Sequence, residues 1–204
     1  MAHSAHIPLV KQKINMKKLL FTIAAMLVVL ASCGQHSGKK KDAGNPDEVK
    51  TLVAFFSATG TTENIAGKVA EATGGDLYEI KPEAKYTAED LDWTQPDSRS
   101  SVEMKDRSSR PAIVKDLEDA GKYDVVYIGF PIWWYTAPTI INTFIETYGF
   151  KGKTVIPFAT SGSSTIDNAC ADLKTSYPEV NIKDGKLLNG ATAETIAAWV
   201  KEIK

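Results

Sequence analysis

Four side-chain hydroxyls surround one glycine at the point where an apolar run, residues 52–56, ends. A helical pattern begins just after this glycine, Gly60. Glycine lets the backbone turn sharply or approach a ligand closely, and a helix N-terminus offers unpaired N–H groups and a positive dipole end. Such a junction can bind a phosphate without a basic side chain. The predicted phosphate-binding residues are Ser57, Thr59, Gly60, Thr61 and Thr62.

The alternative is an ordinary strand–helix junction with a threonine N-cap. A cap needs one hydroxyl, whereas this segment has four in six residues, so the phosphate site is favoured. The segment is not a Walker loop, because six residues separate Gly60 from Gly67 and Val69 stands where Ser or Thr is required. It also lacks the three glycines of the dinucleotide-binding fingerprint.

Strands and helices alternate along the chain after residue 50, which predicts an α/β fold with a doubly wound parallel sheet. Residues 123–130 form a continuous apolar run, as expected of a strand buried on both faces. The predicted strands are 50–56, 76–80, 123–130, 153–158 and 186–188. The predicted helices are 61–73, 111–121, 137–148, 165–177 and 192–203.

Two further segments follow strands at the edge of the sheet where the hydroxyl segment lies. Residues 131–138 contain three consecutive aromatic residues, Trp133, Trp134 and Tyr135, which would be exposed unless a flat ligand covers them. Packing against residues 81–110 is the alternative. Residues 159–164 are small and polar; alone they would indicate a turn and a helix cap, but their position after the fourth strand favours a ligand site.

Taken together in order and spacing, the three segments resemble the flavin-binding loops of flavodoxins, over about residues 50–203. The resemblance implies a five-stranded sheet in the order 2-1-3-4-5 and flavin mononucleotide (FMN) as cofactor. It places the phosphate on the hydroxyl segment and the isoalloxazine ring against Trp133, with Tyr135 along the same edge. The remaining implied cofactor contacts are Pro131, Ile132 and Trp134 in the first flavin loop, and Thr160, Ser161, Gly162 and Ser163 in the second.

Two departures from the flavodoxin pattern affect the ring site. The second flavin loop has no aromatic residue, because Ile166 falls near the place of the usual tyrosine; one flavin face is then open, or covered by Tyr86 or Trp93. The alternative role of these two residues is to pin the connection 81–110, which is unusually long and contains one predicted helical turn at 87–91. Trp134 and Tyr135 also do not tolerate positive φ easily, so a peptide flip that stabilises the one-electron-reduced flavin is not expected.

The first 33 residues have the pattern of an export signal. Lys17 and Lys18 precede an apolar run of about a dozen residues, and small residues follow it. Residues 30–33 resemble a bacterial lipoprotein box, which implies cleavage before Cys33 and lipid attachment there. A buried N-terminal helix with an incidental cysteine is the alternative. We predict a leader or upstream extension (1–15), a lipoprotein signal peptide (16–32), a flexible tether (33–49), a flavodoxin-like domain (50–204), and a lipid-anchored location in the cell envelope.

Charge and composition narrow the functional classes. The first 32 residues contain four of the 24 basic residues and no acid, which leaves 20 basic against 25 acidic residues from Cys33 onward, a net charge of −5. There is no basic patch for nucleic acid and no His/Cys cluster for a metal, and the three histidines lie before residue 37. Cys170 shares a helical face with Ile166 and Leu173, which indicates a core residue. No catalytic acid or base is apparent.

The leading hypothesis is therefore an FMN-binding redox protein that transfers electrons at a membrane-anchored site to a partner protein. A second hypothesis is a reductase that passes hydride from a nicotinamide to a quinone over an open flavin face. A third, from another class, is a non-redox binding or interaction lipoprotein on the same fold. Turnover of a nicotinamide without build-up of the flavin semiquinone would favour the reductase, and strong build-up would favour the electron carrier. Absence of flavin binding would favour the third hypothesis.

Overall fold

The computed structural model describes residues 49–203. The predicted leader, the signal peptide, Cys33 and nearly all of the tether lie outside the described residues. Within residues 49–203, no helix has the length and apolar character needed to cross a membrane.

The sheet has six strands in the described residues: β1 (Thr51–Phe55), β2 (Asp76–Glu79), β3 (Val125–Pro131), β4 (Thr154–Thr160), β5 (Asn181–Ile182) and β6 (Lys186–Leu187). The sheet is parallel and has the order β2-β1-β3-β4-β5, which confirms the predicted topology. Its far edge consists of two short strands instead of one: β5 pairs with the start of β4, and β6 pairs with its end. Only β6 was predicted.

Helices cover both faces of the sheet because successive strand residues point to opposite sides. Leu52 and Ala54 of β1 belong to one core, and Val53 and Phe55 belong to the other. The first core includes residues of the helices Thr139–Tyr148 and Asp167–Ser176, and the second includes residues of the helices Thr61–Thr73 and Ala193–Ile203. The helices are α1 (Thr61–Thr73), α2 (Arg99–Lys105), α3 (Thr139–Tyr148), α4 (Asp167–Ser176) and α5 (Ala193–Ile203), with a 3₁₀ turn at Ala120–Lys122.

The helix predicted for residues 111–121 is wrong. Its residues 112–114 are extended and exchange backbone hydrogen bonds with residues 81–83: Glu83 N–H donates to Ala112 O at 2.9 Å, and Val114 N–H donates to Lys81 O at 2.9 Å. The segment ends in the 3₁₀ turn. Ile113 is buried while Val114 is exposed, an alternation with the period of a strand. The long-range pairing satisfies the backbone groups that a helix would have satisfied locally.

The connection 81–110 contains a helix, α2, that its polar composition did not indicate. The Ser98 side chain caps α2 by accepting a hydrogen bond from Ser101 N–H, and Ser100, Ser101 and Met104 are buried. The predicted helical turn at 87–91 is present, since Leu91 N–H donates to Thr87 O at 3.2 Å.

Tyr86 attaches this connection to the body of the domain. The centroid of its ring lies 5.6 Å from that of Phe56 and 5.5 Å from that of Trp133. The guanidinium carbon of Arg99 lies over the Tyr86 ring, 3.9 Å from the ring centroid. The Tyr86 hydroxyl donates to Glu103 at 2.5 Å, and burial, followed by this carboxylate, raises its pKa. Tyr86 therefore pins the connection to the body of the domain.

Candidate functional site

The hydroxyl segment forms the β1–α1 junction, and its helix has no side-chain cap. Gly60 is the N-cap residue, in the left-handed region at φ 85°, and no side chain bonds to the first-turn N–H groups. The Ser57 hydroxyl is buried and has no hydrogen-bond partner among the described residues. Thr59 and Thr61 are exposed, with their hydroxyl oxygens 3.3 Å apart. Within the described residues, the Ser57 hydroxyl and the uncapped first-turn N–H groups are available to an anion such as a phosphate.

Thr62 connects the hydroxyl segment to the second predicted loop. Its hydroxyl oxygen lies 2.9 Å from that of Thr160, and both side chains are buried. Thr160 ends β4, so this bond joins the start of α1 to the neighbouring part of the sheet edge. The bond gives the two loops a common, rigid base.

The three predicted loops border two adjoining cavities. A cavity of about 440 Å³, called here the hydroxyl cavity, is lined by Thr59, Thr61, Thr62, Pro131 and Thr160, among others. A cavity of about 580 Å³, called here the aromatic cavity, is lined by Trp93, Trp134, Tyr135 and Ser163, among others. Ile132, Trp133, Ser161 and Gly162 line both. Of the predicted cofactor-binding residues, Ser57 and Gly60 alone line neither cavity, although both lie in the hydroxyl segment.

The loop after β3, residues 131–138, contains a two-residue hairpin turn. Trp133 and Thr136 exchange two backbone hydrogen bonds of 3.0 Å, and between them Trp134 and Tyr135 have φ values of 45° and 68°. Both values are typical of the type I′ turn that suits a tight hairpin. Both residues have positive φ although neither tolerates it easily, because the hairpin geometry imposes the left-handed conformation on them.

The aromatic residues of the site differ in how firmly they are held. Trp133 packs edge-on between Phe56 and Tyr86, with both ring centroids 5.5 Å away. By contrast Trp93, Trp134 and Tyr135 are 74%, 42% and 71% exposed. These three border the aromatic cavity, so Trp93 is the aromatic residue that the connection 81–110 contributes to the site. Ile166 is buried in the core.

Asn189, which was not among the predicted site residues, holds the loop after β4, residues 159–164. Its side-chain oxygen accepts from Ser161 N–H at 2.8 Å, and its amide nitrogen donates to Ser161 O. The Ser161 hydroxyl in turn accepts from Ser164 N–H at 2.8 Å. Asn189 and Gly190, which has φ 58°, also line the hydroxyl cavity. The Asn-Gly pair after the last strand was the available signal.

Leu91 and Ser100 are two further residues that sequence reasoning missed. Leu91 lines both cavities, and Ser100 lines the aromatic cavity, where its buried hydroxyl has no partner among the described residues. Both belong to the connection 81–110, whose polar sequence carried no motif that would point to them.

Both cavities are electrically neutral in their side chains. Among the described residues, no lysine, arginine, aspartate or glutamate lines either cavity. Glu63, in the first turn of α1, is the nearest acidic residue to the hydroxyl segment along the chain. An anion here would depend on backbone N–H groups and hydroxyls, and no side chain at the cavities is an obvious acid or base at neutral pH. Cys170 is buried in the core, and burial raises the pKa of its thiol.

Comparison with known proteins agrees with this geometry. A family model described as flavodoxin matches residues 50–203. A candidate flavoprotein from Bacteroides uniformis has 61% identity and a TM-score of 0.73, covering 75% of this chain and 98% of its own. A candidate flavoprotein from Bacteroides eggerthii has 56% identity and a TM-score of 0.74, covering 76% of this chain and 98% of its own.

A more distant structure shares the fold. It is a flavoprotein from Lactobacillus acidophilus in complex with FMN, with 21% identity, a TM-score of 0.60, and coverage of 72% of this chain and 99% of its own. No curated protein matches the chain.

Proposed function

We propose, from the premise that this chain belongs to the flavodoxin family, that it binds FMN across the hydroxyl and aromatic cavities and acts as a redox protein. Two Bacteroides structures more than half identical to it are described as candidate flavoproteins, which supports a flavin ligand. The Lactobacillus protein of the same fold is described as a complex with FMN, which makes FMN the flavin to test first.

The observation that carries the proposal is the unused hydrogen-bonding capacity of the hydroxyl segment. A buried hydroxyl without a hydrogen-bond partner destabilises a fold. The Ser57 hydroxyl has no partner among the described residues, and the helix that follows it, α1, has no side-chain cap at its N-terminus. A phosphate monoester would satisfy both groups without any basic residue. FMN carries such a phosphate, whereas riboflavin does not.

The chain's own residues would bind and orient the cofactor. The hydroxyl segment would hold the phosphate, and Trp133, fixed by Phe56 and Tyr86, would offer an aromatic wall to the ring. The second loop, held by Asn189, would present backbone groups to the polar edge of the ring. When bound, FMN would supply the electron or hydride transfer.

A fluorescence titration of the purified chain with FMN tests the proposal. We expect saturable quenching of flavin fluorescence by the nearby tryptophans and a higher melting temperature. Thr59→Ala should weaken binding about tenfold, because a hydrogen bond to a charged phosphate is lost. Thr175→Ala, which removes an exposed hydroxyl on α4, is the matched control and should bind normally. Absence of both quenching and stabilisation would overturn the proposal in favour of a non-redox binding or interaction protein.

Electron transfer to a partner protein is the role we propose first, and reduction of a small acceptor is the second candidate. The exposure of Trp93, Trp134 and Tyr135 around the aromatic cavity favours the second, since a nicotinamide or quinone ring could reach the flavin there. Oxidation of NADH or NADPH by the FMN-loaded chain with an added quinone would identify a reductase. Reduction in two separate one-electron steps without nicotinamide turnover would identify a carrier.

We also propose that the protein is anchored to a membrane through lipid on Cys33. The support is the sequence pattern around Cys33, since the residue lies outside the described part of the structure. In detergent phase separation, the chain expressed in a bacterial host should enter the detergent phase, and Cys33→Ser should remain in the aqueous phase. Equal partitioning of the two would contradict lipidation.

A further inference from the structure

The hairpin turn of the first flavin loop is backbone-strained, and its own residues do not relieve the strain. Trp134 and Tyr135 are the only consecutive residues of the described range with positive φ at both positions, and neither is glycine or asparagine. Bulky residues in this region are outliers that persist only where the surrounding structure holds them. Two backbone hydrogen bonds between Trp133 and Thr136 close the hairpin. A hairpin this tight requires positive φ at its two central residues, but it does not lower the energetic cost of positive φ for large side chains.

Helix α4 supplies the contacts that hold the turn from outside. The Asn168 side-chain amide donates to Tyr135 O at 3.1 Å. One turn further along, the Asp172 carboxylate accepts from the Thr136 hydroxyl at 2.6 Å. Arg107, from the connection 81–110, lies 3.9 Å from Asp172 and donates to Ala137 O at 3.3 Å. These contacts hold the turn at Tyr135, one of its two strained residues, and at the two residues that follow it, Thr136 and Ala137.

We propose that Asn168 is a positioning residue that holds the Tyr135 carbonyl, and with it the strained hairpin, in the conformation that borders the aromatic cavity. The role rests on the proposed function for what occupies that cavity. Helix α4 begins three residues after Ser164, so the same helix follows one flavin loop and clamps the other. Asn168 therefore ties the two loops that would contact the ring, while the hydroxyl segment is independent of it.

The test is a comparison of Asn168→Ala in two backgrounds, Tyr135→Gly and Tyr135→Ala, in the full chain. Both backgrounds lose the tyrosine ring, but only glycine adopts φ 68° without strain. We expect Asn168→Ala to weaken riboflavin and FMN binding by the same factor, about three- to tenfold, in the Tyr135→Ala background. In the Tyr135→Gly background the loss should be about twofold or less, because the residue that carries the held carbonyl is no longer strained.

Two further variants separate a positioning role from general loss of stability. Asn168→Asp keeps the shape of the side chain but not its donor, so it should behave like Asn168→Ala. Thr175→Ala, on the same helix, should leave flavin binding unchanged. An equal effect of Asn168→Ala in the two Tyr135 backgrounds, or full binding by Asn168→Asp, would overturn the inference.

The inference and the proposed function can fail separately. Without any flavin, Asn168→Ala should lower the melting temperature more in the Tyr135→Ala background than in the Tyr135→Gly background. A chain that binds neither FMN nor riboflavin but shows this difference would refute the cofactor and keep the clamp. A chain that binds FMN but melts with no such difference would refute the clamp and keep the cofactor.

Discussion

The hydroxyl segment and the aromatic hairpin meet at the same edge of the sheet, and each contains backbone in the left-handed region. In the hydroxyl segment that conformation belongs to Gly60, where the nearest atom to an added Cβ would be a glutamate oxygen 4.0 Å away. In the hairpin it belongs to Trp134 and Tyr135, which carry large side chains. One segment adopts its shape with little cost; the other is held there by neighbouring elements.

This difference assigns distinct tasks to the two regions. The hydroxyl segment offers unused donors, and its shape follows from local residue types. The hairpin carries large exposed rings on residues with unfavourable positive φ. Its conformation depends on hydrogen bonds to Asn168 and Asp172. A ligand with a phosphate at one end and a flat ring at the other would test both regions in one molecule.

The largest expected effect comes from removing the phosphate from the ligand. Riboflavin should bind about a hundredfold or more weakly than FMN, because several charge-assisted hydrogen bonds to the hydroxyl segment are lost. Parallel fluorescence titrations with both flavins measure the ratio. A ratio near one would mean that the hydroxyl segment does not bind the phosphate.

Truncation of two tryptophans should separate packing from ligand contact. Trp133→Ala removes a ring packed between Phe56 and Tyr86 and should lower the free energy of unfolding by about 2–3 kcal/mol as well as weaken flavin binding. Trp93→Ala removes an exposed ring and should change stability by less than about 0.5 kcal/mol, while flavin binding still weakens. Denaturant unfolding and flavin titration of both variants measure the two effects. Unaltered flavin binding by Trp93→Ala would exclude it from the site.

Backbone substitutions should act with opposite sign in the two regions. Gly60→Ala should destabilise the chain by about 1 kcal/mol, because alanine resists φ 85°. Tyr135→Gly should be more stable than Tyr135→Ala by a similar amount, because glycine relieves the turn. Thermal unfolding of the three variants gives both signs. A Tyr135→Gly variant less stable than Tyr135→Ala would show that the turn is not strained.

The smallest expected effect concerns Asn189. Asn189→Ala removes two hydrogen bonds to Ser161 and should weaken FMN binding about threefold, since the second loop becomes less ordered. Asn181→Ala, at the end of the sheet away from the loop, is a control with a comparable side-chain hydrogen bond. If both variants bind FMN alike, Asn189 does not organise the site.

Local patterns predicted the parts of the domain that depend on local physics. Helix α1 begins and ends where predicted, and the alternation of strands and helices predicted the parallel sheet, whose order was implied by the resemblance to flavodoxins. The helix predicted for residues 111–121 is wrong, because apolar residues at roughly helical spacing suggested a helix there. In the fold, residues 112–114 are extended and pair with residues 81–83. Helix α2 was not predicted, because its sequence is polar and shows no apolar face. Two of its polar residues, Ser100 and Ser101, are buried in the fold.

The sequence by itself determined which loops meet at the candidate site. Parallel strands bring their carboxyl ends to one edge, so the order of the elements was enough to place the hydroxyl segment at the same edge as the loops after β3 and β4. Tertiary structure alone decided how those loops are held: the Thr62–Thr160 bond, the Asn189 contacts with Ser161, and the clamp on Trp134 and Tyr135. Each joins residues at least 28 positions apart, and such contacts leave no periodic signal in the chain.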